Sequence, residues 1–348
     1  MNKALPLTAL AAALACNFAA AQDAAQPPKA EAAMQKVLDA QASLKPKPIE
    51  TLSPEQARLQ PTPADGVKKV LTDMKKSTAP EPGVTVKDLS IPANGGGTIP
   101  LHVYVPDGAG AGPLPVMMYY HGGGFVIADT KVYDASPRAL AKMAKAIIVA
   151  VDYRRAPEHK FPAAPEDAYA AYTYTLQHAK EWGGDPMRVA VGGESAGGNL
   201  ATVVSLMARD KKVQMPVHQL LVYPVVDNDM NRPSYQQNAN AKPLNKPMMA
   251  WFFKHYGADP KSPYALPLKN ASLKGLPPAT VIAAEIDPLR DEGKAYADKL
   301  QQAGVKVDYK LYSGVTHEFF GMGAVVQKAK EAEQYAADAL TKAFEGKH

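Results

Sequence analysis

The sequence predicts an α/β protein built on a mostly parallel, eight-stranded sheet with helices on both faces. Three observations carry that expectation. From Val84 onward, short β-branched apolar runs alternate with helical stretches. One of these runs, Arg188 to Val191, passes through Gly193-Glu194-Ser195-Ala196-Gly197 into a proline-free helical stretch from Asn199 to Arg209. An earlier run, Pro115 to Tyr120, ends in His121-Gly122-Gly123-Gly124-Phe125.

The elements follow in chain order. Lys3, the apolar run Leu5 to Ala15 and Ala19-Ala20-Ala21 read as a signal peptide over residues 1–21, with a core too short to span a membrane. Cys16, the only cysteine, lies inside it. Lipid anchoring through Cys16 is disfavoured, because Ala13 stands where a larger aliphatic residue is usual. Cleavage after Ala21 leaves no cysteine and places the protein in the periplasm or outside the cell. Residues 22–83 read as a polar lead, disordered over Gln22 to Lys29, and two amphipathic helices. Their apolar positions are Met34, Val37 and Leu38, then Val67, Val70, Leu71 and Met74.

Residues 84–348 read as the main domain. It opens with an antiparallel pair, Val84–Ile91 and Ile99–Val105, around the turn Asn94-Gly95-Gly96-Gly97. Strands near 115–120, 147–152, 188–192, 219–223, 279–284 and 306–312 follow. A polar insertion, Asp227 to Lys246, comes after the sixth strand and leads into the apolar helix start Met248 to Phe253.

Strand, sharp Gly-x-Ser-x-Gly turn and helix form a nucleophile elbow, which holds Ser195 exposed at the sheet edge. Glycines are needed where strand and helix approach closely. The triple-glycine loop suits an oxyanion hole, since backbone N–H groups can reach a developing negative charge unhindered. Gly123, Gly124 and Ala196 are the expected donors, and His121 is expected to shape the loop.

An acid and a histidine should follow the serine in that order. The run Ala279 to Ala284 leads into Glu285-Ile286-Asp287-Pro288-Leu289-Arg290-Asp291-Glu292, and the last strand leads to His317. Both positions lie just past strand ends, where open α/β sheets place their sites. His317 suits the general base. Asp287, stiffened by Pro288, suits its orienting partner. Asp291, Glu292 and Glu285 compete, with Asp291 next in order. His317-Glu318 does not open a zinc helix, because position 321 is glycine.

With these residues in view, the chain resembles the bacterial hormone-sensitive-lipase-like family of α/β-hydrolases. The matching segments are His121–Phe125, Tyr153-Arg154 with Ala156-Pro157-Glu158-His159, Phe161–Ala164, the elbow extended by Gly198, and Asp287–Gly293. The resemblance runs from about residue 30 to the C-terminus. It implies an α/β-hydrolase fold with a helical cap, a carboxylic-ester hydrolase without cofactor or metal, and a Ser195, Asp287, His317 triad. The two N-terminal helices would form part of the cap, with a further cap segment near 227–260; packing on the outer face of the core is the alternative. Phe125, Met248 and Phe252 are candidate pocket residues, plain core being the alternative. Glu194, Arg155 and Glu318 depart from the usual pattern, where aspartate, leucine and glycine are common. They leave substrate preference and local charge open.

A net charge of +5, or +4 without Lys3, is modest and mixed in sign, with no basic cluster for nucleic acid. A small-molecule ester is the expected partner, and the resemblance allows a homodimer. Two other readings stay open. One is an amidase or other acyl hydrolase with the same triad. The other is a non-catalytic binding protein, disfavoured because every role is filled.

Overall fold

The computed structural model describes Met1, residues 28–108, residue 110 and residues 112–346. The expected signal peptide, beyond Met1, and most of the polar lead fall on residues 2–27, outside the described residues. The eight expected strands are all present. They are β1 (Val84–Pro92), β2 (Thr98–Pro106), β3 (Leu114–Tyr120), β4 (Ile147–Val151), β5 (Gly184–Glu194), β6 (Gln219–Val222), β7 (Ala279–Ile286) and β8 (Val307–Thr316). They form one sheet in the order β1-β2-β4-β3-β5-β6-β7-β8. Only β2 runs against the rest, pairing antiparallel with β1 and β4. All other pairs are parallel.

Among the described residues, ten α-helices accompany the sheet: α1 (Ala32–Ser43), α2 (Pro54–Ala57), α3 (Pro63–Asp73), α4 (Ala135–Ala144), α5 (Ala163–His178), α6 (Ala196–Asp210), α7 (Pro233–Gln237), α8 (Lys246–Tyr256), α9 (Arg290–Gln302) and α10 (Gln327–Phe344). Strand alternation sorts the core into two layers. Val116, Met118 and Tyr120 of β3 join the layer of α5, α6 and α9, whereas Met117 and Tyr119 join that of α4 and α10. Strand order reverses at β3, which has β4 on one side and β5 on the other. Open α/β sheets hold their ligands beyond the carboxyl ends of the strands at such a point. The triple-glycine loop and Ser195 both lie there.

The N-terminal helices begin where the sequence marks them. Ser53 and Thr62 each form a capping box ahead of a proline, opening α2 and α3. The helix α3 stops at Asp73, so Met74, expected on its apolar face, caps it and is 42% exposed. Met34, Val37 and Ala40 of α1 are buried in the core layer of α4 and α10. Leu38, Gln41 and Ala42 of the same helix border a cavity over Ser195. The helix thus packs on the core along one face and borders the cavity along another.

Arg58 straps this N-terminal segment to the sheet. Its guanidinium donates to the Val126 carbonyl at 2.8 Å and the Ala156 carbonyl at 2.9 Å, and to both Glu158 oxygens at 2.7 Å. The hydrogen bonds hold Glu158 well below the usual carboxylate range, at about 2. On the other flank, Trp251 Nε1 of α8 donates to the Leu52 carbonyl at 3.2 Å. The Glu158 side chain is 44% exposed, so the ion pair itself contributes little, and the two carbonyl bonds matter more. Arg58→Ala should lower the unfolding free energy in urea by about 1–2 kcal/mol. An unchanged denaturation midpoint would show that the strap does not hold the segment.

Candidate active site

The elbow forms because β5 and α6 meet with almost no space between them. Ser195 adopts φ 57° and ψ −116°, a region disfavoured for a residue with a side chain. A Cβ at Gly197 would overlap the Tyr120 carbonyl at the end of β3. One at Gly193 would lie 2.6 Å from the Gly197 backbone and overlap the same carbonyl. Ser195 N–H donates to the Val222 carbonyl at 2.9 Å, and its own carbonyl accepts from Val225 N–H at 3.1 Å. These bonds fix the strained turn against β6.

The structure brings Ser195, His317 and Asp287 into one line. His317 Nε2 lies 3.0 Å from Ser195 Oγ, and His317 Nδ1 lies 2.7 Å from Asp287 Oδ2. The other Asp287 oxygen accepts from Leu289 N–H at 2.8 Å, which fixes the carboxylate plane. All three residues are buried, with Asp287 fully so.

The rival carboxylates are committed elsewhere. Glu285 accepts from Gly314 N–H at 2.7 Å. Asp291 accepts from Ser234 N–H at 2.8 Å. Glu292 accepts from the N–H groups of Val226 and Asp227, and burial pushes its carboxyl up to about 8.

The insertion after β6 corrects one expectation. Its first half does not reach the cavity. Ser234 Oγ donates to the Pro288 carbonyl at 2.6 Å and Asn238 Nδ2 to the Asp287 carbonyl at 3.2 Å. Residues 227–241 thus buttress the acid-bearing turn, because their polar side chains find partners there. Only the stretch from Lys242 through α8 borders the cavity.

The glycine loop turns under Ser195 with φ 93° at Gly123 and 58° at Gly124. A Cβ at Gly124 would overlap the Phe252 ring, and one at Gly122 the Tyr133 hydroxyl. The N–H groups of Gly123, Gly124 and Ala196 donate to no other group among the described residues. His121 stacks on Tyr153 at 4.3 Å between ring centroids, and Tyr153 OH donates to the His121 carbonyl at 2.8 Å. That accounts for a tyrosine in the Tyr153-Arg154 segment and for His121 as a shaping residue. Arg154 pairs with buried Asp167, its Nη2 at 2.7 Å from Oδ1.

Ser195 and His317 open into a cavity of about 530 Å³. Met248 and Phe252 line it. Phe125 does not. With φ 64° its backbone turns the ring back into the core, where it stacks on Tyr256 at 3.8 Å between centroids.

Three tyrosines around the site stand outside the sequence motifs. Tyr223, just past β6, packs on the His317 ring at 4.4 Å and donates to Glu194 at 2.5 Å. Tyr119 donates to the other oxygen of Glu194. Glu194 is therefore a buried support beneath the elbow, absent from the cavity wall. Burial, with the charge of Glu318 adding, pushes its carboxyl up to about 7. Tyr133 donates to Glu318 at 2.7 Å. A tyrosine at a strand end was the available signal for Tyr223; Tyr133 carried none.

Among the described residues, no group of histidine, cysteine and carboxylate side chains could hold a metal ion. No helix among them is long and apolar enough to cross a membrane.

The arrangement defines a class: α/β hydrolases with a serine at a strand–helix elbow. Comparison with known proteins agrees. A family described by its alpha/beta hydrolase fold matches residues 117–321. Carboxylesterase NlhH of Mycobacterium tuberculosis is 40% identical over 292 residues, 81% of this chain and 91% of that protein. Ethyl acetate hydrolase of Pseudomonas putida is 37% identical over 262 residues, 73% of this chain and 82% of that protein. A hyperthermophilic esterase from the archaeon Pyrobaculum calidifontis superposes with a TM-score of 0.79 at 37% identity, covering 90% of this chain and 98% of that one. The chain belongs to the α/β hydrolase family, in its hormone-sensitive-lipase-like esterase branch.

Burial opposes a proton on His317, but the charge and hydrogen bond of Asp287, with Glu318 and Glu194 adding, outweigh it and raise its pKa above the ordinary 6.5. A general base works only when neutral. The acid limb of kcat/KM should therefore have its midpoint above pH 6.5, with activity falling about tenfold per pH unit below it. A midpoint below 6.5 in a pH–rate profile would contradict this balance.

Proposed function

We propose that the protein is a serine carboxylesterase acting on soluble esters with short to medium acyl chains. The observation that carries the reading is Ser195 Oγ, 3.0 Å from His317 Nε2, at the foot of a cavity beside a glycine loop whose N–H groups donate to no partner among the described residues.

In this reading Ser195 Oγ bonds to the ester carbonyl carbon while its proton passes to His317 Nε2. The carbonyl electrons move onto oxygen, and the N–H groups of Gly123, Gly124 and Ala196 hold the oxyanion. Removing one such donor typically costs about 3 kcal/mol. Collapse breaks the bond to the alcohol, whose oxygen takes the proton from Nε2. Water then gives its proton to the same nitrogen and attacks the acyl-serine. Release of the acid returns the proton to Ser195. Asp287 orients the ring and stabilises its protonated form.

A cavity of about 530 Å³ walled by α1, α8 and the segment between α1 and α3 favours one moderate acyl chain over an emulsified triglyceride. These elements act as the cap. The relative named for ethyl acetate hydrolysis supports the short end of the range.

The test is a p-nitrophenyl ester series from acetyl to palmitoyl. Turnover should peak at short chains and fall by at least about 10⁴-fold in Ser195→Ala, with the fold retained. Serine-dependent turnover of matched amides but not esters would favour an amidase; none on either would favour a binding role. Residues 1–21 support export. Intact-mass analysis of periplasmic protein should then give a chain beginning at Gln22, and retention of residue 1 in the cytoplasm would oppose export.

A further inference from the structure

Glu318 makes and breaks no bond in the reaction described above, yet its backbone and surroundings are unusual. It takes φ 68°, a conformation suited to glycine. Non-glycine residues held this way cluster at functional sites. Its carboxylate accepts from Tyr133 OH, 2.7 Å from one oxygen and 2.8 Å from the other. A phenol has one proton to give, so the carboxylate keeps most of its accepting capacity. No lysine or arginine among the described residues pairs with it; its ion-pair contact is His317, with Nε2 3.8 Å from Oε1. The side chain is 19% exposed. It lines both the cavity over Ser195 and a neighbouring groove of about 800 Å³, so that with Tyr133 it stands between them.

The position has a chemical meaning if the esterase reading holds, on which this inference rests. Nε2 must deliver its proton to the alcohol oxygen, so the leaving alcohol lies beside Nε2. Glu318 Oε1 lies 3.8 Å from that nitrogen, so a group on the alcohol next to the ester oxygen would fall near its carboxylate. We propose that Glu318 is a specificity residue of the leaving-group side, favouring esters whose alcohol carries a positive charge or a hydrogen-bond donor near the ester oxygen. A carboxylate that merely ties the end of β8 to Tyr133 would affect all substrates alike.

The experiment compares acetylcholine with 3,3-dimethylbutyl acetate, which match in shape and differ by one charge. In the wild-type protein kcat/KM should favour the cationic ester by about tenfold. The ratio should fall to near one in Glu318→Gln and in Glu318→Gly. The glycine variant suits the positive φ and guards against a folding defect. An unchanged ratio in both variants, whatever their overall activity, overturns the proposal. Turnover of p-nitrophenyl acetate and stoichiometric labelling of Ser195 by a p-nitrophenyl phosphonate are measured in parallel. Absence of both in the wild type overturns the esterase reading itself, and this proposal with it.

Discussion

The near-contact between Gly197 and the Tyr120 carbonyl governs the rest of this molecule. Three chain segments meet at that point: the end of β3, the turn after β5 and the first turn of α6. Because no side chain fits there, the turn can be tight enough to hold Ser195 at φ 57°. The same closeness carries β3 straight into the glycine loop beneath the serine. Ser195 and the glycine-loop backbone are thus placed by one crossing rather than by two independent loops. Everything delivered from further along the chain, the Asp287 turn and His317, has to arrive at this fixed point.

The sheet was readable because its signals are local. The inner parallel strands β3, β4, β6 and β7 are buried on both faces and appear as apolar runs, whereas the edge strand β8 shows itself by alternation. Only two connections needed non-local information, and both were misjudged in part. The insertion at 227–241 is polar enough to pass for a surface cap. Its polar groups are instead consumed by the turn around Asp287, 50 to 60 residues away. Phe125 follows the loop glycines and so reads as pocket wall, but a positive φ, invisible in composition, points it into the core.

The site was legible to the extent that its chemistry is written in backbone motifs. Gly-x-Ser-x-Gly and the triple glycine record steric requirements directly. Asp287 could be ranked above its rivals by Pro288, but only the structure shows those rivals bound to other groups. The tyrosines behind the site left little trace. Tyr119, Tyr133 and Tyr223 come from three separate strand ends or loops, and each has ordinary hydrophobic neighbours in sequence. Their hydroxyls converge on Glu194 and Glu318, two acids adjacent in sequence to Ser195 and His317. The polar network beneath the site is a product of topology.

The wall over the serine is made from the beginning of the chain and held by groups from much later. Leu52 waits for Trp251, 199 residues on, and Arg58 for Glu158, 100 residues on. During synthesis this segment is the first of the folded region to emerge and has nothing to dock upon until the sheet exists. Assembly of the wall is consequently a late step, and closing so long a loop before the sheet forms would cost entropy without return. The wall over the serine is therefore held by contacts that only the assembled sheet and α8 can supply.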